Sequence, residues 1–379
     1  MQAAVRSGRL KETEMLLKKG ASPYSTNGPS RVIHEVGLSA QVNEMVPLLM
    51  KYGVDCQTRD AFGWNLMFYL AVNSGTEDVA IDLAKELIEK GVSPCEIRND
   101  VSQPIHMCIW NNKPRLLSLY LDHGADVNAR EGFNVFPLYT AVNHCDDPAL
   151  MLTLLKRGAN IDLKTDGGLT ALHGLIVNRS IGELSEENSL KKLKILLTLG
   201  ADMFAVSNSG LTPFESIRSR DMDNPSIKLI LKTLALKRAR LEPSKTLEEE
   251  KFFIEYPELS TYYNNCVEEI NKMKSTKFIC IGTLYEILTK CPCQMLGSMR
   301  YCIFRSRFST YGISEFPLFA EDLRESFNKA TNHYNSVLDQ EDLLNEVYYY
   351  RLSHLIVRKL AVYNLDCEIC EIKKNCERG

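Results

Sequence analysis

Cysteine and histidine are the residues of this 379-residue chain whose spacing first suggests chemistry, because both ligate metals and serve in catalysis. Among twelve cysteines, Cys367 and Cys370 have the spacing of one zinc-ligand pair. A closed zinc site needs a second pair, for which Cys291 and Cys293 are the candidates. A single intervening residue is unusual in such a pair. We therefore predict no metal and no cofactor, and we expect ordinary reduced thiols.

Other catalytic patterns do not occur in the sequence. It contains no phosphate-binding glycine-rich loop, no nucleophile elbow and no interpretable pair of carboxylates. His106 and Cys108 are close in sequence, but packing of one helix explains both. His34, His106 and His173 each end a similar tetrapeptide, which indicates one repeated structural role rather than catalysis or metal binding. We predict that the protein is not an enzyme.

Charge and hydropathy narrow the classes of partner. The net charge is −3, so no overall field favours nucleic acid or an anionic membrane. No run approaches the ~18 apolar residues of a membrane span, and the N-terminus has the pattern of an amphipathic helix rather than a signal peptide. We expect a cytoplasmic protein without nucleic-acid or membrane partners. A nuclear location is the alternative, because residues 237–240 are basic, although a solvated helix end explains them equally.

The elements that position these residues follow from a regular series of glycines. Each glycine ends an apolar helical pattern and is followed by Ala or Val and then by Asp, Asn or Ser, which is a helix end followed by a turn. The spacings are 33, 38, 33, 34 and 42 residues. The six are Gly20, Gly53, Gly91, Gly124, Gly158 and Gly200.

A second signal recurs roughly ten residues after each glycine. The tetrapeptides approximate Thr-Pro-Leu-His, in which Pro suits the first turn of a helix. They begin at Arg31, Asn65, Gln103, Phe136, Thr170 and Thr212. With this series of glycines and tetrapeptides, residues 1–236 resemble an array of ankyrin repeats. The resemblance implies an all-α solenoid of about six to seven repeats with short β-hairpin tips, whose concave face binds proteins.

Further expectations concern the ends of the series and its irregular spacings. The chain starts inside a repeat, and residues 210–236 are predicted to form a C-terminal capping unit. Insertions at 73–82 and 178–188 are expected between the two helices of their repeats, where a loop lengthens at small entropic cost.

Candidate contacts to a target protein are residues that the repeat pattern does not require. Exposed aromatic and arginine side chains are the usual anchors of interfaces. The predicted target-binding residues are Arg59, Phe62, Trp64, Arg98, Trp110, Arg130, Phe133, Tyr139 and His144. A basic residue six or seven positions after the glycine is common in such repeats generally, so it does not by itself indicate a binding site. The aromatic residues have the alternative role of shielding the core between repeats.

The character of the sequence changes after residue 236. Residues 237–251 are charged and are predicted to be a linker or a solvated helix end, and 252–379 a separate helical region. There the 3.6-residue periodicity predicts helices at 256–273, 278–288, 298–308, 316–335, 338–350 and 352–365.

Residues 314–369 resemble the PRANC domain of ankyrin proteins from poxviruses, parasitoid wasps and their bacterial symbionts. The matching features are the opening from Glu315 to Phe319, a helix through Leu323 and Phe327, and a closing segment from Leu352 to Leu365. Ser353 and Leu355 replace the Pro and Glu that are usual there. The resemblance implies F-box-like helices that bind the Skp adaptor of a cullin ubiquitin ligase. The residues expected to do so are Leu352, Leu355, Ile356, Leu360 and Leu365.

Two functions remain open at this point. The first is a substrate-receptor adaptor that captures a target, expected to be a host protein, and brings it to a Skp–cullin ubiquitin ligase. The second is a binding-only inhibitor or scaffold of a signalling protein, of the NF-κB-inhibitor type, in which the C-terminal helices merely cap the rod.

Overall fold

The computed structural model describes the greater part of the chain. The described residues are 1–24, 32–36, 39, 41–72, 76–97, 102–178, 185–217, 224–241, 250, 253–278, 282–290, 294–295, 299, 308 and 315–348. They belong to two compact units. The first contains Met1–Leu196 and Phe204–Ser216, and the second contains Leu197–Met203 and the described residues from Ile217 onwards.

Short helices follow one another in pairs through the repeats. They are α1 (Gln2–Arg6), α2 (Leu10–Lys18), α3 (Val32–Val36), α4 (Val42–Lys51), α5 (Leu66–Val72), α6 (Glu77–Glu89), α7 (Pro104–Trp110), α8 (Pro114–Asp122), α9 (Pro137–His144), α10 (Ala149–Lys156), α11 (Ala171–Asn178) and α12 (Glu186–Leu199). Each buries apolar side chains against its neighbours, as a repeat must because it cannot cover its apolar face alone. The predicted fold class, a helical-repeat solenoid followed in the chain by further helices, is confirmed.

All six glycines of the predicted series have the left-handed backbone that ends a helix. Their φ angles lie between +85° and +101°. Only glycine adopts this conformation at no steric cost, which explains why the series punctuates the second helix of each pair.

Hairpin tips connect the pairs. In four of them a backbone N–H donates to a carbonyl four residues later: Asp60 to Trp64, Glu131 to Val135, Thr165 to Leu169 and Ser207 to Leu211. The residue before the acceptor has a positive φ angle in all four. It is glycine in three tips and Asn134, with φ of +54°, in the fourth. Asparagine is among the few other residues that tolerate this conformation.

The predicted role of the repeated histidines is confirmed by their hydrogen bonds. Nε2 lies 3.1 Å from the Thr58 carbonyl oxygen in His34, 3.2 Å from that of Ala129 in His106, and 3.2 Å from that of Leu211 in His173. Each ring is fully buried. In His106, Nδ1 also accepts from the Gln103 backbone N–H, so Nε2 carries the proton and donates. These bonds tie each first helix to the following hairpin.

Two buried lysines satisfy carbonyl groups at the ends of first helices. The Lys113 ammonium donates to the Leu70 carbonyl at 3.0 Å. The Lys192 ammonium donates to the carbonyls of Val142, at 3.0 Å, and Cys145. Burial lowers the pKa of both lysines. The last carbonyls of a helix lack partners within it, so these contacts supply them.

The predicted insertions lie between the two helices of their repeats, but part of each lengthens a helix. α6 begins at Glu77 and α12 at Glu186, and both are longer than α8 or α10. Carboxylates hold the N-terminal ends of second helices in neighbouring repeats. Glu77 accepts from the backbone N–H groups of Arg115 and Leu116, at the start of α8.

The described part of the second unit contains several helices and a two-stranded sheet. The elements described are α13 (Pro225–Leu241), α14 (Pro257–Ser275), β1 (Lys277–Phe278), β2 (Gly282–Thr283), α15 (Leu284–Thr289) and α16 (Ala320–Tyr348). β1 pairs with β2 in antiparallel register, with Phe278 opposite Gly282. α14 packs on α13 and α15, and α15 packs on α16.

Several C-terminal elements differ from the sequence prediction. The helix expected at 278–288 is a strand pair followed by a helix from Leu284, because Gly282 and the Thr283 cap favour a strand end and a helix start there. The helices expected at 316–335 and 338–350 are one continuous helix, Ala320–Tyr348. α13 continues to Leu241, so the predicted linker begins inside a helix. Arg238 is buried there rather than solvated. The domain boundaries at 236 and 251 stay predictions.

Candidate protein-interaction surface

The exposed aromatic residues of the first unit lie at hairpin tips and at the ends of first helices. Trp110 ends α7 and His144 ends α9, in neighbouring repeats. Their ring centroids are 4.8 Å apart with planes tilted by 39°. Trp110 is 50% exposed although it is a large apolar residue. This pair is therefore a contact between repeats that also presents an aromatic face to solvent.

Glu131 orients the indole ring of Trp110 from the hairpin of the next repeat. The indole Nε1 donates to Glu131 Oε1 at 3.3 Å, while Glu131 Oε2 accepts from the Ser102 hydroxyl at 3.3 Å. The same Oε2 lies 4.0 Å from Nδ1 of the buried His106. A side chain held by such bonds loses less rotamer entropy when it binds a partner, so the arrangement suits an interface anchor.

Phe133 and Phe62 lie at the tips of hairpins. Phe133 is 81% exposed and Phe62 is 54% exposed. The backbone at both is fixed: the Phe133 carbonyl accepts from the Asp166 N–H at 3.1 Å, and the Phe62 N–H donates to Asp60 Oδ1 at 2.8 Å. Neither side chain is needed to build the tip. Two rigid turns therefore present aromatic rings to solvent.

Two of the predicted contact residues pack against the start of a first helix. Trp64 is half-buried, stacks on Phe68 at 5.5 Å and meets Tyr69 edge-on at 5.1 Å. Tyr139 is half-buried with its ring 5.8 Å from Phe136, and burial raises its pKa. Both side chains are only partly exposed. Their role as contacts to a target stays a prediction beside the alternative of shielding the core.

The basic residues at the tips bind the next repeat. The Arg59 guanidinium pairs with Glu96, and that of Arg130 donates to the Lys164 carbonyl at 3.0 Å. The Lys164 ammonium in turn donates to the Val206 carbonyl at 2.9 Å. These residues link successive hairpins, which accounts for a basic residue at this position without a partner protein. Arg98 lies outside the described residues.

Sequence reasoning missed two exposed apolar residues at the position that is basic in other repeats. Ile97 and Val206 stand six positions after Gly91 and Gly200, as Arg130 does after Gly124. They are 54% and 50% exposed. Alignment of the chain on its glycines would have identified them, because a row of basic residues interrupted by apolar ones departs from the background pattern. Glu131 had no such signal, since only the fold brings it to Trp110.

The remaining predicted sites fall outside the described residues. These are the five ligase-binding residues, Leu352, Leu355, Ile356, Leu360 and Leu365, and the cysteines considered as zinc ligands, Cys291, Cys293, Cys367 and Cys370. Among the described residues, no group of three or more His, Cys, Asp or Glu side chains is arranged to hold a metal ion. Burial raises the pKa of the Cys56 thiol to about 11 and that of Cys266 to about 12. No helix in the described ranges is long and apolar enough to span a membrane.

Several known proteins resemble part of this chain. Human ankyrin repeat and SOCS box protein 6 is 31% identical over 115 residues, which are 30% of this chain and 26% of that protein. A putative ankyrin repeat protein of fowlpox virus (strain NVSL) is 25% identical over 217 residues, 55% of this chain and 61% of that protein. The first curated relatives are matched over only 13% to 26% of their own lengths.

The comparisons also include one solved structure and one family model. The crystal structure of the ankyrin repeat domain of Bcl-3, a member of the IκB protein family, is 20% identical with a TM-score of 0.46, over 58% of this chain and 93% of that one. The family model described as ankyrin repeats (many copies) matches residues 120–175. Those residues include the helix-ending glycines Gly124 and Gly158 and two hairpin tips. They also include His144, whose ring contacts Trp110. This chain therefore contains ankyrin repeats.

Proposed function

We propose that the repeats capture a target protein through the exposed aromatic surface formed by Phe62, Trp110, Phe133 and His144. The observation that carries this is the 81% exposure of Phe133 on a rigid turn, since exposed rings without a packing role are the usual anchors of interfaces. The Trp110–His144 pair on the neighbouring helix ends extends that surface.

The proposal includes a second step, recruitment of a Skp–cullin ubiquitin ligase by the C-terminal helices. The resemblance of residues 314–369 to the PRANC domain supports it. A viral ankyrin relative and a human relative whose name includes a SOCS box are further support. The adaptor then acts by raising the local concentration of the target at the ligase, so it contributes proximity and orientation rather than bond making.

Affinity purification of the full chain from host-like cells tests the first step. We expect Phe133→Ser combined with Trp110→Ala to reduce target recovery at least tenfold, because anchors of this kind contribute at least about 2 kcal/mol each. Met15→Ser, which also removes an exposed apolar side chain, is the matched control. Equal recovery with the double variant and the control would show that the target binds elsewhere.

The second step is tested in the same cells with Ile356→Asp and Leu360→Asp in the full chain. We expect loss of the Skp subunit from the recovered proteins and unchanged target recovery. If the unmodified chain captures its target and retains no Skp subunit, ligase recruitment is wrong. The chain is then a binding-only inhibitor or scaffold, the second hypothesis from the sequence.

A further inference from the structure

The Trp110–His144 pair lies among acidic side chains. Glu131 binds the indole N–H from the next hairpin, and Asp146 and Asp147 follow His144 in the turn after α9. The exposed aromatic pair and these three carboxylates therefore occupy one region of the first unit. Their contacts indicate which kind of side chain a target can place on the rings.

Glu131 binds only neutral donors among the described residues. Its Oε1 accepts from the Trp110 indole N–H and its Oε2 from the Ser102 hydroxyl, each at 3.3 Å. His106 Nδ1 lies 4.0 Å away, but it accepts from the Gln103 N–H, so the imidazole is neutral. The Glu131 side chain is 13% exposed. Its negative charge is therefore uncompensated and is screened less than that of a fully exposed carboxylate.

The two aspartates after α9 also bind neutral donors. The Asp146 carboxylate accepts from the backbone N–H of Ser185 and from the side-chain amide of Asn188, each at 2.8 Å. These bonds, that of the backbone N–H first, hold the pKa of Asp146 below its ordinary value, so it stays ionised at neutral pH. Asp147 accepts from the Ala149 N–H at 2.9 Å. Neither aspartate forms an ion pair with a lysine or arginine in the described part of the chain.

The cations near this region are bound to backbone carbonyls. Lys113 and Lys192 are buried and donate to carbonyls in α5 and α9. The Arg130 guanidinium donates to the Lys164 carbonyl of the next hairpin at 3.0 Å. These cations offset part of the acidic charge, but no described ammonium or guanidinium lies over the Trp110 ring. The indole is therefore open to a cation from another molecule.

A basic side chain matches this surface better than an acidic or an apolar one. The face of an indole attracts cations more strongly than that of any other aromatic side chain. Donation of its N–H to a carboxylate adds electron density to the ring and strengthens that attraction. An acidic side chain would be repelled by the three carboxylates. An apolar side chain would shield them from water without supplying a positive partner, which costs free energy.

We propose that the Trp110–His144 pair binds a lysine or arginine side chain of the target, which stacks on the indole and is attracted by Glu131, Asp146 and Asp147. This inference rests on the proposed function, because it names the chemistry of the protein that the repeats capture. The target is then a protein with an exposed basic segment, and opposite charges steer its approach. Since these charges lie at a surface, the affinity depends on salt.

Selection from a random peptide library displayed on phage tests the proposal with the full chain as bait. We expect lysine or arginine to be enriched in the selected peptides. Titration calorimetry then compares the best peptide with two versions in which each basic residue is replaced by Gln or by Leu. We expect both versions to bind at least about tenfold more weakly, and the parent peptide to bind more weakly as salt rises. The proposal is overturned if the selected peptides lack basic residues, or if the leucine version binds as tightly as the parent.

Variants decide whether the basic side chain binds at Trp110. We expect Trp110→Ala to weaken binding of the best peptide about tenfold or more, and Trp110→Phe about threefold, because a phenyl ring attracts cations less. Glu131→Gln removes the charge but keeps groups that can bind the indole N–H and the Ser102 hydroxyl, and we expect a loss of about threefold. The control is Asp126→Asn, which removes an exposed acidic charge from the same repeat. Unchanged affinity in Trp110→Ala, or equal losses in Glu131→Gln and Asp126→Asn, would overturn the proposal.

Target recovery from cells separates this inference from the proposed function. If Phe133→Ser with Trp110→Ala loses the target while Glu131→Gln recovers as much as wild type at every salt concentration, the rings bind by apolar contact and only this inference fails. If the double variant retains the target, the proposed function fails, and this inference fails with it.

Discussion

The contacts that stabilise the interior of each compact unit differ between the two units. In the ankyrin repeats, buried polar side chains bind the next repeat, and the histidine bonds join residues that are 23 to 38 apart in sequence. In the second unit, the Lys232–Asp322 pair joins residues 90 apart, and Glu269 accepts from the Leu318 N–H 49 residues away. The first unit uses the same histidine bond in three repeats, and the second uses single bonds between distant segments.

This difference determines which substitutions are expected to destabilise each unit. In the repeats, a bond lost in one place leaves equivalent bonds in the others, while backbone positions at hairpin contacts tolerate little change. In the second unit, the long-range bonds between described residues differ from one another, so the loss of one is not made up by an equivalent bond. Lys232 and Lys272 also lie over the rings of Phe319 and Phe316 at 5.4 Å and 5.1 Å, so the segment before α16 depends on a few contacts.

The largest effect is expected from Gly168→Ala in the repeats. Gly168 has φ of +72°, and a Cβ there would lie 2.6 Å and 2.7 Å from Oδ1 and the backbone N of Asn208. We expect a loss of about 3 kcal/mol in the free energy of unfolding of the first unit, from left-handed strain and displacement of the next hairpin. Chemical denaturation followed by circular dichroism measures it. Gly167→Ala is the control, because its Cβ would meet nothing closer than 3.7 Å. Equal losses in the two variants would contradict the assigned cause.

Lys192→Met is expected to cost about 2 kcal/mol, since it leaves the carbonyls of Val142 and Cys145 buried without a donor. Lys191→Met removes the neighbouring ammonium, which is exposed and pairs with the exposed Glu187, so we expect about 0.5 kcal/mol or less. Denaturation midpoints of both variants give the comparison. A cost for Lys192→Met as small as that of Lys191→Met would show that the ammonium does not support the end of α9.

A smaller effect is expected at the Lys232–Asp322 pair of the second unit. The two groups are 2.7 Å apart and mostly shielded, with side chains 19% and 28% exposed. A double-mutant cycle with Lys232→Ala and Asp322→Ala should give a coupling energy of about 1 kcal/mol. The cycle for Lys272 and Glu315, which are 52% and 57% exposed, should give less than about 0.5 kcal/mol. The reverse order would mean that shielding does not determine the strength of these pairs.

The smallest effect is a pH dependence at Glu269. Burial raises the pKa of this carboxyl, against the backbone donors of Leu318 and Phe319 and the charges of Lys232 and Lys272. A raised folded-state pKa means that the contribution to stability is full below the unfolded value of 4.5 and is lost as pH rises through the folded value. We therefore expect wild type to lose stability relative to Glu269→Gln between pH 4 and pH 7. Denaturation of both proteins across that range measures it, with the exposed Glu268→Gln as control. Parallel pH profiles for wild type and Glu269→Gln would exclude this role.

The repeats were predictable because their signals are local and recur. The glycine series and the tetrapeptides fixed the helix ends, the hairpin tips and the role of the histidines, all of which follow from backbone conformation and short contacts. The boundaries in the second unit were less predictable. The periodicity of 316–335 and 338–350 does not distinguish two helices from one, and Gly282 gave only a weak sign of a strand.

The exposure of the candidate residues was predictable in part. Phe133 and Trp110 depart from a pattern that the sequence itself supplies, and both are exposed. Trp64 and Tyr139 were also selected, yet each is only partly exposed, because exposure depends on which neighbours the fold supplies. Aligned on the glycines, Ile97 and Val206 could have been found.

The sequence by itself determined the repeat, its period and the residues that depart from it, since each depends on neighbours within about one repeat. Only the tertiary structure decided which side chains meet across repeats or between distant helices. It brings Glu131 to Trp110, Lys192 to the end of α9, and Asp322 to Lys232. The physical reason is that burial and charge pairing depend on distance in space, which has no period in the sequence outside the repeats.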